Sequence, residues 1–213
     1  MPTSAVSLVL EEGDRMVRAA LEGEILAKQG AMVAYTGQVD FAYKGAGVGG
    51  FVRKAVTGEG QDLMKVTGRG NVWFADNGAH ISVFSLESDR LVVNGRALLV
   101  LGQGMGYTIK KTSGGMGAMA AGGLFQTEVT GTGQVAVTCL GTPLVLPTDE
   151  PVFVDAQAAV AWTSAVRTEI VSTAKAGALL GRGSGEAFQM KMQGAGGFVV
   201  VQCGEPVPPP RPA

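Results

Sequence analysis

One spacing recurs through this chain and limits what it can fold into. Gly68-Arg69-Gly70 returns as Gly131-Thr132-Gly133 and again as Gly194-Ala195-Gly196, each step being 63 residues. A further glycine keeps the register after each, at Gly78, Gly141 and Gly204. The residues before each Gly-x-Gly match in kind: Leu63-Met64-Lys65-Val66-Thr67, Gln126-Thr127-Glu128-Val129-Thr130 and Gln189-Met190-Lys191-Met192-Gln193. Those after it are Asn71-Val72-Trp73-Phe74, Gln134-Val135-Ala136-Val137 and Gly197-Phe198-Val199-Val200. Upstream of each lies an Ala-rich apolar run, Ala31-Met32-Val33-Ala34, Ala97-Leu98-Leu99-Val100 and Ala158-Ala159-Val160-Ala161. Self-similarity at one period is the mark of a body assembled from stacked units. Three internal repeats are expected, at approximately 22–84, 90–147 and 150–204.

The content of each unit is β: short apolar runs rich in Val, Thr and aromatics, bounded by Gly, Asn and Asp. Asn77-Gly78 signals a hairpin, because a two-residue type I′ turn needs positive φ at both central positions. Gly-x-Gly between two strands supplies positive φ, or room for close backbone approach, at a tight turn. Gly68, Gly70, Gly78, Gly131, Gly133, Gly141, Gly194, Gly196 and Gly204 are therefore expected as structural turns. A phosphate cradle would lead from a strand into a helix N-terminus, whereas here another strand follows. Units of this size cannot bury both faces alone. The expectation is an all-β protein: a single compact β-barrel/sandwich body over residues 1–204, built from three internal repeats about a pseudo-threefold axis, each unit covering its neighbour's edges. The runs 6–10 and 16–21 are expected to add edge strands. The tail 205–213, with five prolines in nine residues, is expected to be extended and disordered.

Composition narrows the function classes. Seventeen Lys and Arg against eighteen Asp and Glu give a net charge of −1, so no basic field is available to hold nucleic acid. One His and two Cys exclude multi-cysteine zinc sites and make any histidine chemistry depend on His80. No metal and no cofactor is expected. The longest charge-free stretch, 129–148, is broken by Gly131, Gly133, Gly141 and Pro143, and reads as short strands rather than a membrane span. Residues 1–10 have no Lys or Arg before the apolar run and are followed by Glu11, Glu12 and Asp14, a poor secretory signal. Cys139 and Cys203 read as free thiols of a cytoplasmic protein.

Glycine is the outlier, 33 residues in 213, and much of it sits in one segment of each unit. These run from Gly45 through Val48, Phe51 and Arg53 to Val56, from Gly114 through Met116 and Met119 to Phe125, and from Ala174 through Leu179 and Leu180 to Gly183. Ordinary loops are polar, but these are small and apolar, with Met, Leu or Phe at intervals. Exposed together, they form an apolar patch of the kind that marks a protein or membrane contact; folded back, they close the end of the body. Val48, Phe51, Arg53, Met116, Met119, Leu179 and Leu180 are the candidate contact surface. Lys54, Lys110, Lys111, Lys175 and Arg182 near these segments suit at most a weak contact with an acidic lipid surface.

Residues suited to catalysis are sparse. His80 follows the Asn77-Gly78 turn and reads as a solvated turn histidine. Glu59 and Glu186 occupy nearly equivalent places before a strand, where a carboxylate more often fixes a turn by accepting backbone N–H groups than works as an acid or base. Asp149-Glu150 reads as solvated charge at a junction of units. Trp73, Phe74, Trp162 and Phe198 fall within apolar strands and read as core.

An Ala-Met-Val strand after Gln29-Gly30, the glycine-rich run reaching Gly49-Gly50-Phe51-Val52-Arg53-Lys54-Ala55, then Gly58-Glu59 and the strand ending Val66-Thr67-Gly68-Arg69-Gly70 resemble the altered-inheritance-of-mitochondria protein 24 family. The third unit, with Ala176 to Gly185, Phe188 and Gly194, follows that family's closing segment, while the second has Gly122-Gly123 in place of the Glu. The resemblance implies a β-sandwich or barrel related to the tryptophan RNA-binding attenuation protein fold. Eukaryotic relatives are associated with mitochondrial inner-membrane organisation, bacterial members have no activity assigned, and no catalytic residues carry across. The expected function is a non-catalytic β scaffold that docks to a protein partner or a membrane surface through its glycine-rich segments, with self-association possible. The alternative is a small-molecule binding module with its site near the pseudo-threefold axis.

Overall fold

The computed structural model describes residues 6–43, 63–111, 125–172 and 188–204. Fourteen strands and no helix are found there: β1 (Ser7–Glu11), β2 (Met16–Lys28), β3 (Met32–Tyr43), β4 (Leu63–Phe74), β5 (His80–Asn94), β6 (Leu98–Leu101), β7 (Gly106–Lys111), β8 (Phe125–Cys139), β9 (Leu144–Pro147), β10 (Val152–Asp155), β11 (Ala159–Thr163), β12 (Arg167–Ser172), β13 (Phe188–Gln193) and β14 (Phe198–Val201). The all-β expectation holds, and every pairing is antiparallel.

Eleven strands form one sheet along the path β3-β4-β2-β6-β8-β5-β11-β14-β9, with β1 added to β2 and β7 to β8. The remaining strands form a second sheet, β10-β13-β12. The path does not close. Among the described residues β3 pairs only β4, and β9 pairs only β14, so the closed barrel expected from the sequence is not formed. The chain leaves the large sheet at the corner between β9 and β10. Thr148, fully buried, donates its hydroxyl to the Gly194 carbonyl at 2.9 Å, and the Gly194 N–H returns to the Thr148 carbonyl at 2.8 Å. Asp149 is solvent-exposed, as expected, and also accepts the Gly196 N–H at 2.9 Å. Beyond this corner β10 pairs β13 in the second sheet.

Gly68 and Gly70 lie inside β4, and Gly131 and Gly133 inside β8, rather than at turns between strands. Gly23 of β2 stands opposite Gly68, and Gly37 of β3 opposite Gly70, so glycines of three strands lie side by side. A Cβ on Gly68 would stand 2.1 Å from the Gln38 carbonyl oxygen, which leaves no room for any other residue. Only the third Gly-x-Gly lies between two strands, β13 and β14. Asn77 and Gly78 do take the positive φ that their turn requires, 49° and 69°. The strands they join, β4 and β5, are nevertheless not partners: β5 pairs β8 and β11. The run expected to form an edge strand at 16–21 is instead interior, since β2 is flanked by β4 on one side and by β1 and β6 on the other.

Burial falls into three clusters set in series. The first joins β1, β2 and β4 with Leu99, Val100 and Ala136. The second takes Leu98, Leu101, Val135 and Val137 from those same strands, β6 and β8, and adds Val160, Ala161 and Val200. The third takes Ala159, Trp162 and Val199 from β11 and β14 with Val154, Met190 and Met192. Strands β6 and β11 are therefore walls shared by two cores, which is why they read as unbroken apolar runs rather than alternating ones.

Candidate docking surface

Each glycine-rich segment joins the two paired ends of one hairpin. Tyr43, the last residue of β3, is opposite Met64, one step inside β4; Lys111 is opposite Phe125; Ser172 is opposite Phe188. The bases of these hairpins are anchored from below. Met64 and Val66, Thr127 and Val129, and Met190 and Met192 alternate inward and are essentially inaccessible, because alternate residues of a strand point to one face. The intervening residues carry charge outward: Lys65 pairs with Glu24, and Lys110 with Glu128 at 2.6 Å. The hydrogen bond from Lys110 holds the Glu128 carboxyl below its ordinary value, against a smaller opposing effect of burial. Val48, Phe51, Arg53, Met116, Met119, Leu179 and Leu180, like Glu59, Glu186, Lys54, Lys175 and Arg182, lie outside the described residues. The structure fixes where the three segments leave and re-enter the body.

His80 is not a solvated turn residue. It opens β5 opposite Cys139, its side chain is 19% exposed, and Nε2 stands 3.7 Å from the Asp14 carboxylate. Its buried Nδ1 has no hydrogen-bond partner. Cys139 is buried and Cys203 exposed, both as free thiols. Burial pushes the Cys139 thiol up to about 11, so it stays protonated at neutral pH and is a poor nucleophile. Among the described residues no three His, Cys, Asp or Glu side chains group as metal ligands would.

Phe74 and Trp162 are core residues, as their apolar runs imply. Trp73 is half-buried and serves a polar role: its indole N–H donates to Glu11 at 2.7 Å, and Arg18 donates to the other oxygen of that carboxylate at 2.7 Å. These two bonds hold Glu11 below its ordinary value of 4.5, that from Arg18 having the larger effect. Together they tie β1 to β2 and β4.

The sequence does not reveal a set of apolar side chains exposed on unpaired edges: Val33 and Tyr35 on β3, Leu144 and Val145 on β9, and Phe153 on β10. Each lies in a run that reads as ordinary strand core. Their exposure follows from which strands lack a neighbour, and composition carries no signal of that.

Among the described residues no helix is long and apolar enough to cross a membrane. The family described as mitochondrial biogenesis AIM24 matches residues 9–203 of the chain. The chain is similar to protein SPYM3_0169 from Streptococcus pyogenes, known from an X-ray crystal structure, with a TM-score of 0.75 and 23% identity over 94% of this chain and 93% of that one. At that identity the likeness shows the fold alone. No curated protein matches the sequence.

Proposed function

This chain belongs to the mitochondrial biogenesis AIM24 family, and on that premise we propose that it is a non-catalytic β scaffold that docks through its three glycine-rich segments. The observation that carries this reading is the equivalence of their anchor points. Each segment, small and apolar in composition, spans the end of a hairpin whose base is locked into a buried core. A rigid base beneath a glycine-rich apolar segment is the arrangement expected of a contact surface held on a scaffold.

The same reading treats the sequence repeat as a structural one, three units each made of a central glycine-bearing strand or strand pair with a partner on either side. Its support is the pairing: β4 lies between β2 and β3, β8 between β5 and the pair β6 and β7, and β13 and β14 between β10 or β9 and β12 or β11. A bulge occurs at the same place in each, between Met32 and Ala34, Leu98 and Val100, and Ala159 and Ala161. The protein then works in the cytoplasm, at the periphery of a membrane or on a membrane-associated protein partner.

The test replaces Phe51, Met116, Met119 and Leu179 together by Ser. The wild-type chain is expected to cosediment with vesicles containing anionic phospholipid, or to be retained by a partner, and the variant to lose at least about tenfold in affinity, the scale on which four apolar anchors act. Its melting temperature and far-ultraviolet spectrum should not move. Equal binding by the two proteins refutes docking through these segments.

A further inference from the structure

Two junctions inside the chain are built alike, and a third of the same kind is left unmade. At the first, β2 pairs β6 through Leu26↔Leu101 and Ala27↔Val100. At the second, β5 pairs β11 through Val92↔Trp162 and Val93↔Ala161. The receiving strand carries its bulge just before the paired residues in both. Its side chains are sealed: Leu99, Val100, Leu101, Val160, Ala161 and Trp162 are at most 2% exposed.

Strand β3 has the same bulge, and it presents Ala34 and Tyr35 where β6 presents Val100 and Leu101 and β11 presents Ala161 and Trp162. It has no second neighbour among the described residues, and Val33 and Tyr35 are 51% and 49% exposed. The donor strand is open as well. In β10, Phe153 and Val154 stand opposite Lys191 and Met190, as Leu26 and Ala27 stand opposite Lys65 and Met64 in β2, and Val92 and Val93 opposite Glu128 and Thr127 in β5. Phe153 is 56% exposed. Within one chain the two edges lie in different sheets, and the cores behind them share no residue.

We propose that β10 of one copy adds to β3 of a second copy, antiparallel and in the register of the two internal junctions, with Phe153 opposite Tyr35 and Val154 opposite Ala34. The internal junctions hold with only two or three residue pairs, so the four residues of β10 are long enough. The pairing satisfies two rows of edge N–H and C=O groups. It also sets two exposed aromatic side chains at directly opposed positions, where such pairs contribute to sheet stability. The occupant is a second copy because the chain carries both halves of a junction that it makes twice within itself. The two surfaces differ, so the contact is heterologous and leads to a ring or a filament rather than a twofold dimer. It uses none of the glycine-rich segments and stands independently of docking through them.

The full-length chain should show concentration-dependent species at multiples of 21.8 kDa in light scattering and native mass spectrometry. Tyr35→Lys and Phe153→Lys should each run as a folded monomer, Tyr35→Lys with a slightly lowered melting temperature because it loses the edge contact of Tyr35 with Phe41. An equimolar mixture of the two variants should give a 1:1 dimer and nothing larger, because each supplies the edge that the other has lost. Combining Tyr35→Lys with Phe153→Glu in one chain should restore assembly, while the four-serine variant of the glycine-rich segments should assemble as the wild type does. A wild-type chain that stays monomeric, a single-lysine variant that still assembles, or a mixture that stays monomeric overturns the proposal. If either lysine variant fails to fold, Tyr35→Ser and Phe153→Ser replace them in the same mixing experiment.

Discussion

Gly68 and Gly78 are both glycine at positive φ, for different physical reasons, and substitution separates them. At Gly78, with φ of 69°, an added Cβ meets nothing within 4 Å. Gly78→Ala therefore suffers only the left-handed backbone, about 1 to 2 kcal/mol. At Gly68, with φ of 129°, the same methyl lands 2.1 Å from the Gln38 carbonyl oxygen of β3, and that oxygen belongs to a strand packed against β4 that cannot yield alone. Gly68→Ala should cost the backbone strain and a displaced strand pairing together, about 3 kcal/mol or more. Urea denaturation of the two variants decides it, and equal losses would mean that the close approach at Gly68 yields more readily than its geometry indicates. The Gly-x-Gly spacing in the sequence announces glycine's special backbone correctly. It does not say whether the reason is a turn or a close approach, because that depends on a strand some thirty residues away.

At the scale of the element, β1 shows how one side chain holds a strand in place. Glu11 ends β1 and takes hydrogen bonds from Arg18 of β2 and Trp73 of β4. Its folded carboxyl titrates below 4.5, so the ionised form is favoured by folding. The stabilisation is fully present above the ordinary carboxylate value and is lost as the pH falls through the lowered folded value. Glu11→Gln should reduce the urea midpoint at neutral pH and shrink the further loss that acid causes. Midpoints measured at neutral and acidic pH for both proteins test this, and an identical acid response in the two would place the titration elsewhere. The strands themselves are largely legible in the sequence: the apolar runs at 63–67, 134–137 and 158–161 all fall within or against β elements. Their partners are not. Asn77-Gly78 adopts the hairpin turn that its sequence specifies, yet β4 and β5 pair elsewhere, because a turn sets two residues' dihedrals while pairing is set by which faces must be buried. For the same reason β2 reads as an added edge and is found at the centre of the first core, and the candidate contact residues can be placed only by their anchor points.

Across the whole molecule the three cores form a series whose neighbours share walls, and this arrangement makes a statement about cooperativity. Strands β6 and β8 belong to the first and second cores, and β11 and β14 to the second and third. Closure depends on whether the last outer strand meets the first. The chain instead leaves the large sheet at the Thr148–Gly194 corner, whose hydrogen bonds no periodicity encodes. An unclosed series should unfold as nearest-neighbour arrays do, each unit supported by its own packing and by one shared wall. The third core is the end member, and β10, β12 and β13 contribute to it alone. Met190 is fully buried there, and Met190→Ala should cost about 2 to 5 kcal/mol through lost transfer energy and the cavity it leaves. In native-state hydrogen exchange that loss should appear as weakened protection in β10, β12 and β13. It should be smaller in the shared strands β11 and β14 and undetectable in β1 and β3, whose apolar side chains pack in the first core alone. A uniform loss of protection over all strands would mean that the shared walls couple the three cores into one cooperative unit. Such coupling would also predict that filling the open edges of β3 and β10 raises the stability of every strand rather than of the two ends alone.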